Sequence, residues 1–165
     1  MCSSDLLRCL DSLGIAIAAT RVPPAIATLD AVRAGYGSGT ARLIGLHESM
    51  SPAGAALVNA TLIHALDFDD TYLAGAMHVS AMVVAASLAA ADMAGATVGG
   101  LIDGVATGTE VACWLGRIAP RELHARGFQP TSLIGALGSS VAAGRILGLD
   151  SESLGHAVGT CASVA

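Results

Sequence analysis

Apolar residues recur along most of the chain at intervals of three and four residues, the spacing of one face of an α-helix. The first two apolar stripes are Leu6, Leu10, Leu13 and Ile17 and, after Pro23 and Pro24, Ile26, Leu29, Val32 and Tyr36. Glycines at positions 35, 37 and 39 then interrupt the helical pattern. Because this glycine-rich stretch has no lysine and follows no strand, we interpret it as a flexible turn rather than a phosphate-binding loop.

Residues typical of helix starts and ends divide the remaining sequence into further predicted helices. Ser51 can accept hydrogen bonds from free backbone amides, and Pro52 suits the first helical position. The predicted helices run from Ser51 to Leu66, from Ser80 to about Ala94, from about Val98 to Ile118, from Pro130 to Leu147, and onward from Ser151. Residues 40–46 are the one segment that we predict to be extended. The pattern therefore predicts an all-α fold, with residues 1–165 forming a single helical domain.

The composition favours a core in which helices approach one another closely. The 165 residues include 33 alanines and 20 glycines but only five aromatic residues. In the predicted helix after Pro130, Gly135, Gly138 and Ser139 suit tight contact between helices. The high apolar content of 53%, against 13% charged residues, excludes an intrinsically disordered chain.

Charge and cysteine usage limit the partners of the protein. The formal net charge is −5 and all eight basic residues are arginines spread along the chain, so we expect no nucleic-acid partner. Residues 71–91 carry no charged side chain, but their many small and polar residues argue against a membrane span. Cys2, Cys9, Cys113 and Cys161 form no C-x-x-C pair, which favours reduced thiols, no bound metal and a cytoplasmic location.

The segment spanning residues 64–71 holds the densest group of reactive side chains. Asp67, Asp69 and Asp70 lie within four residues, and His78 follows. Carboxylates this close repel one another, so we expect them to cap a turn, bind a cation or set the charge of a site. His78 precedes a predicted uncharged helix, whose positive amino end disfavours imidazolium and attracts anions. A neutral imidazole there can exchange a proton with an anionic substrate, although a structural role is also compatible with the spacing.

A second group of free backbone amides is expected where the helix at Pro130 starts. Arg126 precedes this start, and Gln129 and Thr131 flank the proline. Two helix starts and a nearby arginine can hold a small di- or tricarboxylate without any lysine. The alternative is that these residues only start a helix.

Three stretches together resemble the MmgE/PrpD family. They are residues 59–71 (NATLIHALDFDDT), His78 with Ser80, and residues 127–131 (GFQPT). The LDFDDT string is the most specific of them, and the resemblance extends over nearly the whole chain. It implies a large helical domain followed by a smaller lid domain, usually dimeric. It also implies action on small carboxylic acids without an iron–sulfur cluster or other cofactor.

The resemblance further implies roles for individual residues. Asp67 and His78 resemble the family's catalytic aspartate and histidine, and Thr71 resembles its substrate-binding threonine. Gln129 and Thr131 are likewise expected to contact substrate. The family usually has histidine where this chain has Gln129. Glutamine can hydrogen-bond a carboxylate, but it cannot exchange a proton near neutral pH.

The activity that this resemblance implies is that of a 2-methylcitrate dehydratase-like lyase. A cis-aconitate decarboxylase-like or iminodisuccinate epimerase-like activity is the alternative within the family. The family's later active-site lysine and its lid domain are expected beyond Ala165, so the chain resembles the front part of a longer protein. Because Gln129 replaces a histidine and that lysine is absent, we expect the isolated chain to be inactive.

Two other classes of protein fit parts of the sequence. The DFDDT string matches the D-x-D-x-T pattern of haloacid-dehalogenase-type phosphotransferases, which need it at the end of a parallel strand with magnesium and a lysine nearby. The other class is a non-catalytic helical domain that associates through exposed apolar faces. The family resemblance favours a homodimeric enzyme over both.

Overall fold

The computed structural model describes residues 3–118 and 121–164, and these residues are mostly helical, as predicted. The helices are α1 (Ser3–Ala19), α2 (Pro23–Gly35), α3 (Pro52–His64), α4 (Ser80–Ala94), α5 (Val98–Gly116), α6 (Glu122–Ala125), α7 (Pro130–Ile146) and α8 (Ser151–Val164). Two antiparallel ribbons pair β1 (Ala41–Arg42) with β2 (Ser49–Met50) and β3 (Thr71–Tyr72) with β4 (Met77–His78). Cys2 and Ala165 lie outside the described residues.

The observed helix starts agree with the residues that predicted them. α4 begins at Ser80, and the Ser51 hydroxyl caps α3 by accepting a 3.3 Å hydrogen bond from the Gly54 backbone N–H. The strand β1 lies inside the segment predicted to be extended, whereas β3 and β4 were not predicted. Strands of two residues are too short to show an alternating pattern in the sequence. The pairing of Thr71 with His78 therefore could not be predicted and is seen only in the structure.

The buried face of α1 differs from the apolar stripe that predicted this helix. Leu6, Leu10 and Ile17 are exposed, and the residues that face the core are small. These buried residues are Cys9, Ser12, Ala16 and Ala19. Small side chains let α1 lie close to α3 and α4, so the larger leucines remain on the outer surface.

Glycines at the contact between α5 and α7 bring the two helix backbones together. A Cβ atom at Gly108 would lie 2.6 Å from the Ala142 Cβ and 2.6 Å from the Gly138 carbonyl oxygen. A Cβ at Gly138 would lie 2.8 Å from the Gly108 carbonyl oxygen. Gly135 packs in the same way under the side chain of Met82 in α4. As the composition predicted, small residues hold α7 tightly against both neighbouring helices.

The uncharged stretch of residues 71–91 is not one continuous helix. It comprises β3, β4 and most of α4, joined by turns. Across the described ranges, no single helix combines the length and apolar character needed to cross a membrane. The helices α1 and α2 meet those criteria only as a pair, and they are bent by 90° at their junction.

Arg42 and Asp92 form an ion pair that ties β1 to α4. The Arg42 backbone N–H and its guanidinium both donate to the Asp92 carboxylate, at 2.8 and 2.6 Å. These hydrogen bonds from Arg42 lower the pKa of Asp92. A lowered pKa in the folded state means that the pair stabilises the fold above the usual carboxyl range. This contribution is lost as the pH falls through the lowered pKa.

Replacing Gly108 tests the contact between α5 and α7. We expect Gly108→Ala to lower the free energy of unfolding by about 1–3 kcal/mol, because the added methyl group meets backbone atoms that cannot move aside. The matched control is Gly155→Ala in α8, where nothing lies within 4 Å of the added Cβ. It should raise stability by roughly 0.5–1 kcal/mol, as alanine is the better helix former. Urea unfolding followed by circular dichroism measures the free energy of unfolding of both variants. An equal change in Gly108→Ala and Gly155→Ala would contradict the close contact between α5 and α7.

Asp92→Asn tests the ion pair between β1 and α4. We expect the substitution to lower the free energy of unfolding by about 1 kcal/mol at pH 7, a small value because the Arg42 side chain is largely exposed. The difference from the unmodified protein should shrink below about pH 4, where carboxyl groups take up protons. Urea titrations at several pH values measure this difference in the free energy of unfolding. A difference that does not change with pH would show that the Arg42–Asp92 ion pair does not stabilise the fold.

Candidate functional site

The turn after α3 places Asp67 on the surface of the protein. Its backbone has a φ of 55°, in the left-handed region that aspartate and asparagine adopt more readily than most residues. The Asp67 backbone N–H donates a 2.9 Å hydrogen bond to the His64 carbonyl, which closes the end of the helix. The Asp67 side chain is 80% exposed. The turn therefore presents this carboxylate to solvent.

The ribbon of β3 and β4 brings His78 to the same place. The Asp67 Oδ1 atom lies 3.5 Å from His78 Nε2. Thr71 is the direct partner of His78 across the ribbon, and it is exposed. The structure thus brings together the two predicted catalytic residues and the predicted substrate-binding threonine. Of these, His78 lies two residues before the start of α4.

Gln129 and Thr131 both make contacts that stabilise the start of α7. The Gln129 side-chain oxygen accepts a 3.4 Å hydrogen bond from the Thr131 backbone N–H and so caps the helix. The Thr131 hydroxyl accepts a 3.0 Å hydrogen bond from the His78 backbone N–H, and Thr131 is only 3% exposed. Thr131 therefore holds the backbone of His78 in place from α7. Contact of Gln129 or Thr131 with substrate stays a prediction.

Asp70 occupies the amino end of α4. Its Oδ1 atom accepts a 3.0 Å hydrogen bond from the Ser80 backbone N–H, and its Oδ2 atom pairs with the guanidinium of Arg8 in α1. The first amide of α4, which we expected to attract an anionic substrate, is therefore already bonded to a carboxylate of the protein itself. Arg8 was not predicted to lie at this site, because no local sequence pattern connects α1 to α4.

Asp69 lies between two imidazoles in the interior. Its side chain has no exposed surface, and its two oxygens lie 3.0 and 3.2 Å from His64 Nδ1. Its Oδ1 atom is also 3.4 Å from His78 Nδ1. The ring centres of His64 and His78 are 5.0 Å apart in an edge-to-face arrangement. Neither His64 nor a separate role for Asp69 was predicted from local sequence, because the sharp turn at Asp67 is what brings the two residues together.

Four side chains at this point have the atom types that bind metal ions. Ligand atoms of His64, Asp67, Asp69 and His78 all lie within 4.8 Å of one another. Imidazole nitrogens and carboxylate oxygens are ligands that zinc accepts. The cysteine spacing predicted no metal site, and cation binding was one alternative for the neighbouring aspartates alone, without the two histidines.

Two open cavities flank the cluster. One, of about 490 Å³, lies beside His64 and is lined mainly by alanines and other apolar side chains of α3, α4 and α7. The other, of about 410 Å³, lies beside Thr71 and contains Arg8, Tyr72 and Cys113. Burial raises the pKa of the Cys113 thiol, which favours the protonated thiol over the thiolate. His64 and Thr71 thus line different cavities.

The position of the DFDDT string is not consistent with a haloacid-dehalogenase-type site. The string follows α3 directly, and the strands found in residues 3–118 and 121–164 pair only in antiparallel ribbons. That chemistry requires the first aspartate at the end of a parallel strand, and the sequence contains no lysine.

Comparison with known proteins identifies the family to which this chain belongs. The sequence matches the MmgE/PrpD N-terminal domain over residues 6–165. The chain therefore belongs to the MmgE/PrpD family, as its motifs indicated. A search among curated proteins found no match.

Asp70→Ala tests the cap of α4. We expect it to lower the free energy of unfolding by about 1–2 kcal/mol, because the Ser80 N–H and the Arg8 guanidinium both lose their acceptor. Amide hydrogen exchange at the first turn of α4 should accelerate. Asp11→Ala on the exposed face of α1 serves as the control and should change stability by less than about 0.5 kcal/mol. Unchanged exchange at Ser80 would show that Asp70 does not hold this helix end.

Proposed function

We propose that this chain contributes to a 2-methylcitrate dehydratase-like lyase that acts on small di- or tricarboxylates. The observation that carries the proposal is the approach of Asp67 Oδ1 to His78 Nε2, at 3.5 Å, beside the start of α4. An exposed carboxylate next to a partly exposed imidazole forms an acid–base pair that a substrate can reach. Membership of the MmgE/PrpD family supports a carboxylic acid as that substrate.

The proposed reaction removes water from neighbouring carbon atoms. His78 Nε2 takes the proton from the carbon next to a carboxylate, and the electrons of that C–H bond form the new double bond. The hydroxyl group on the adjacent carbon leaves and takes up a proton from an acid, which releases water. Asp67 balances the positive charge that forms on His78, and the Thr71 hydroxyl holds a carboxylate of the substrate.

The second proton-transfer group of this reaction is not supplied by Gln129. A glutamine amide neither gives up nor accepts a proton near neutral pH, and here it is engaged at the start of α7. Each positioned acid or base contributes roughly 10²–10⁴-fold to the rate. We therefore propose that this chain by itself binds substrate without measurable turnover.

Assembly and location complete the proposal. We propose a homodimer, as the family resemblance implies, that acts in the cytoplasm, where the reduced thiols indicated by the cysteine spacing persist. Exposed apolar side chains on the outer face of α1 support association, since Leu7, Leu10 and Ile17 lie on the surface instead of the core. Because these positions lie away from the small buried residues of the same helix, association leaves the core contacts of α1 unchanged.

Binding and turnover of 2-methylcitrate test this function together. Isothermal titration calorimetry should show binding that weakens about tenfold or more in His78→Ala and in Thr71→Val, because each loses a hydrogen bond to a charged group. His156→Ala on the exposed surface of α8 is the control and should bind like the unmodified protein. Ultraviolet absorbance of the conjugated product should not rise with any of them. Turnover that disappears in His78→Ala would overturn the predicted inactivity, and binding that is indifferent to His78 would overturn the site.

A further inference from the structure

We propose that Asp69 is the positioning residue of this site. Its buried carboxylate holds both His64 and His78 with the proton on Nδ1, which leaves His78 Nε2 free to exchange a proton. The catalytic meaning of this arrangement rests on the proposed function, whereas the placement of the protons rests on hydrogen-bond geometry alone. The resulting unit, His64–Asp69–His78, goes beyond the two catalytic residues inferred from sequence.

The burial of Asp69 requires partners that donate hydrogen bonds. A carboxylate removed from water costs several kcal/mol unless it is paired. Within the part of the chain that the structure describes, the ion-pairing partners of Asp69 are the imidazoles of His64 and His78. Arg8 is bound to Asp70 instead. The two imidazoles are therefore the groups that compensate the buried charge.

The geometry of His64 determines where its proton lies. His64 Nδ1 is 3.0 Å from one oxygen of Asp69 and 3.2 Å from the other. An ionised carboxylate only accepts hydrogen bonds, so Nδ1 must be the nitrogen that carries the hydrogen. In the neutral ring, Nε2 of His64 then keeps its lone pair.

His78 is held in the same way by two atoms of Asp69. Its Nδ1 lies 3.2 Å from the Asp69 backbone carbonyl oxygen and 3.4 Å from Oδ1. Both are acceptors, so Nδ1 again carries the hydrogen. On the other side of the ring, Nε2 is 3.5 Å from Asp67 Oδ1, longer than the roughly 2.7–3.2 Å of an ordinary hydrogen bond. Nε2 is therefore not tied to Asp67 and is available to a substrate.

This arrangement separates the roles of two aspartates that are two residues apart. Asp69 determines which nitrogen of His78 is basic, and Asp67 contacts that nitrogen from the solvent side. When Nε2 takes a proton, the imidazolium that forms already lies against a buried carboxylate. The positive charge is thus stabilised by a preorganised group, without any movement of the protein.

A divalent metal ion is the other occupant that these atoms fit. The separations of 3.0 and 3.4 Å between Asp69 and the two Nδ1 atoms approximate the ligand spacing of about 3.4 Å in a tetrahedral zinc site. A metal at that point would need lone pairs on both Nδ1 atoms. The approach of His78 Nδ1 to a backbone carbonyl, which can only accept, favours protons there instead.

Long-range ¹H–¹⁵N correlation spectra of the ¹⁵N-labelled protein identify the protonated nitrogen of each histidine directly. The unmodified protein should show Nδ1–H at both His64 and His78 in their neutral forms. In Asp69→Asn, which offers a single weaker acceptor, His64 should change to a mixture of both tautomers. His78 should change less, because the backbone carbonyl of residue 69 remains. The matched control Asp67→Asn should leave both Nδ1–H signals in place, since Asp67 faces Nε2.

Three outcomes would overturn the proposal. The first is Nε2–H at His64 and His78 in the unmodified protein. The second is an equal loss of Nδ1–H in Asp67→Asn and Asp69→Asn. The third is one-to-one binding of added zinc chloride that displaces both Nδ1 protons, which would identify a metal site instead. If Asp69→Asn does not fold, the spectra of the unmodified protein and of Asp67→Asn still show whether Nδ1 of His64 and His78 carries the proton. These spectra are recorded without substrate, so their result is separate from the binding test of the proposed function.

Discussion

Contact between helix backbones determines where the candidate site residues of this protein meet. At Gly108 and Gly138, α5 and α7 approach so closely that neither position has room for a methyl group. Gly135 lets α7 pack under Met82 of α4 in the same way. As a result, the first turn of α7 lies beside the last residue of β4, and the Thr131 hydroxyl reaches the backbone of His78. The site is therefore built on packing between small residues rather than on a core of large side chains.

The backbone gives the three neighbouring aspartates three different environments. The left-handed turn directs Asp67 to solvent, the next turn buries Asp69 between two imidazoles, and Asp70 reaches the first amide of α4. Three carboxylates within four residues would otherwise repel one another. The three negative charges instead have different surroundings: Asp67 faces solvent beside Nε2 of His78, Asp69 contacts Nδ1 of both His64 and His78, and Asp70 pairs with Arg8 and a backbone amide.

The charges around His78 limit how an anionic substrate can bind. Asp70 engages the first amide of α4 and the Nη1 atom of Arg8, so a carboxylate that approaches either of these groups competes with Asp70. The imidazoles of His64 and His78 are further groups of the candidate site that can carry positive charge. A carboxylate that approaches Nε2 of His78 competes in the same way with Asp67.

Much of the architecture follows from local sequence signals. Apolar spacing, Ser51 with Pro52, and the uncharged run after Ser80 predicted every described helix except the four-residue α6, because capping and helical periodicity act within a few residues. The three motifs together likewise indicated the family, which the match over residues 6–165 confirms. The outward orientation of the α1 leucines could not be predicted this way, because burial depends on which neighbouring helix approaches most closely.

The sequence by itself determined the longer helices and the family, and it indicated Asp67 and His78 as candidate site residues. Only the tertiary structure revealed that His64 and Asp69 support this pair, and that Arg8 from the first helix neutralises Asp70. The physical reason is distance along the chain. Helix starts and apolar stripes are governed by neighbours three or four residues away, whereas the surroundings of a buried carboxylate depend on a sharp turn and on helices that pack together from remote parts of the sequence.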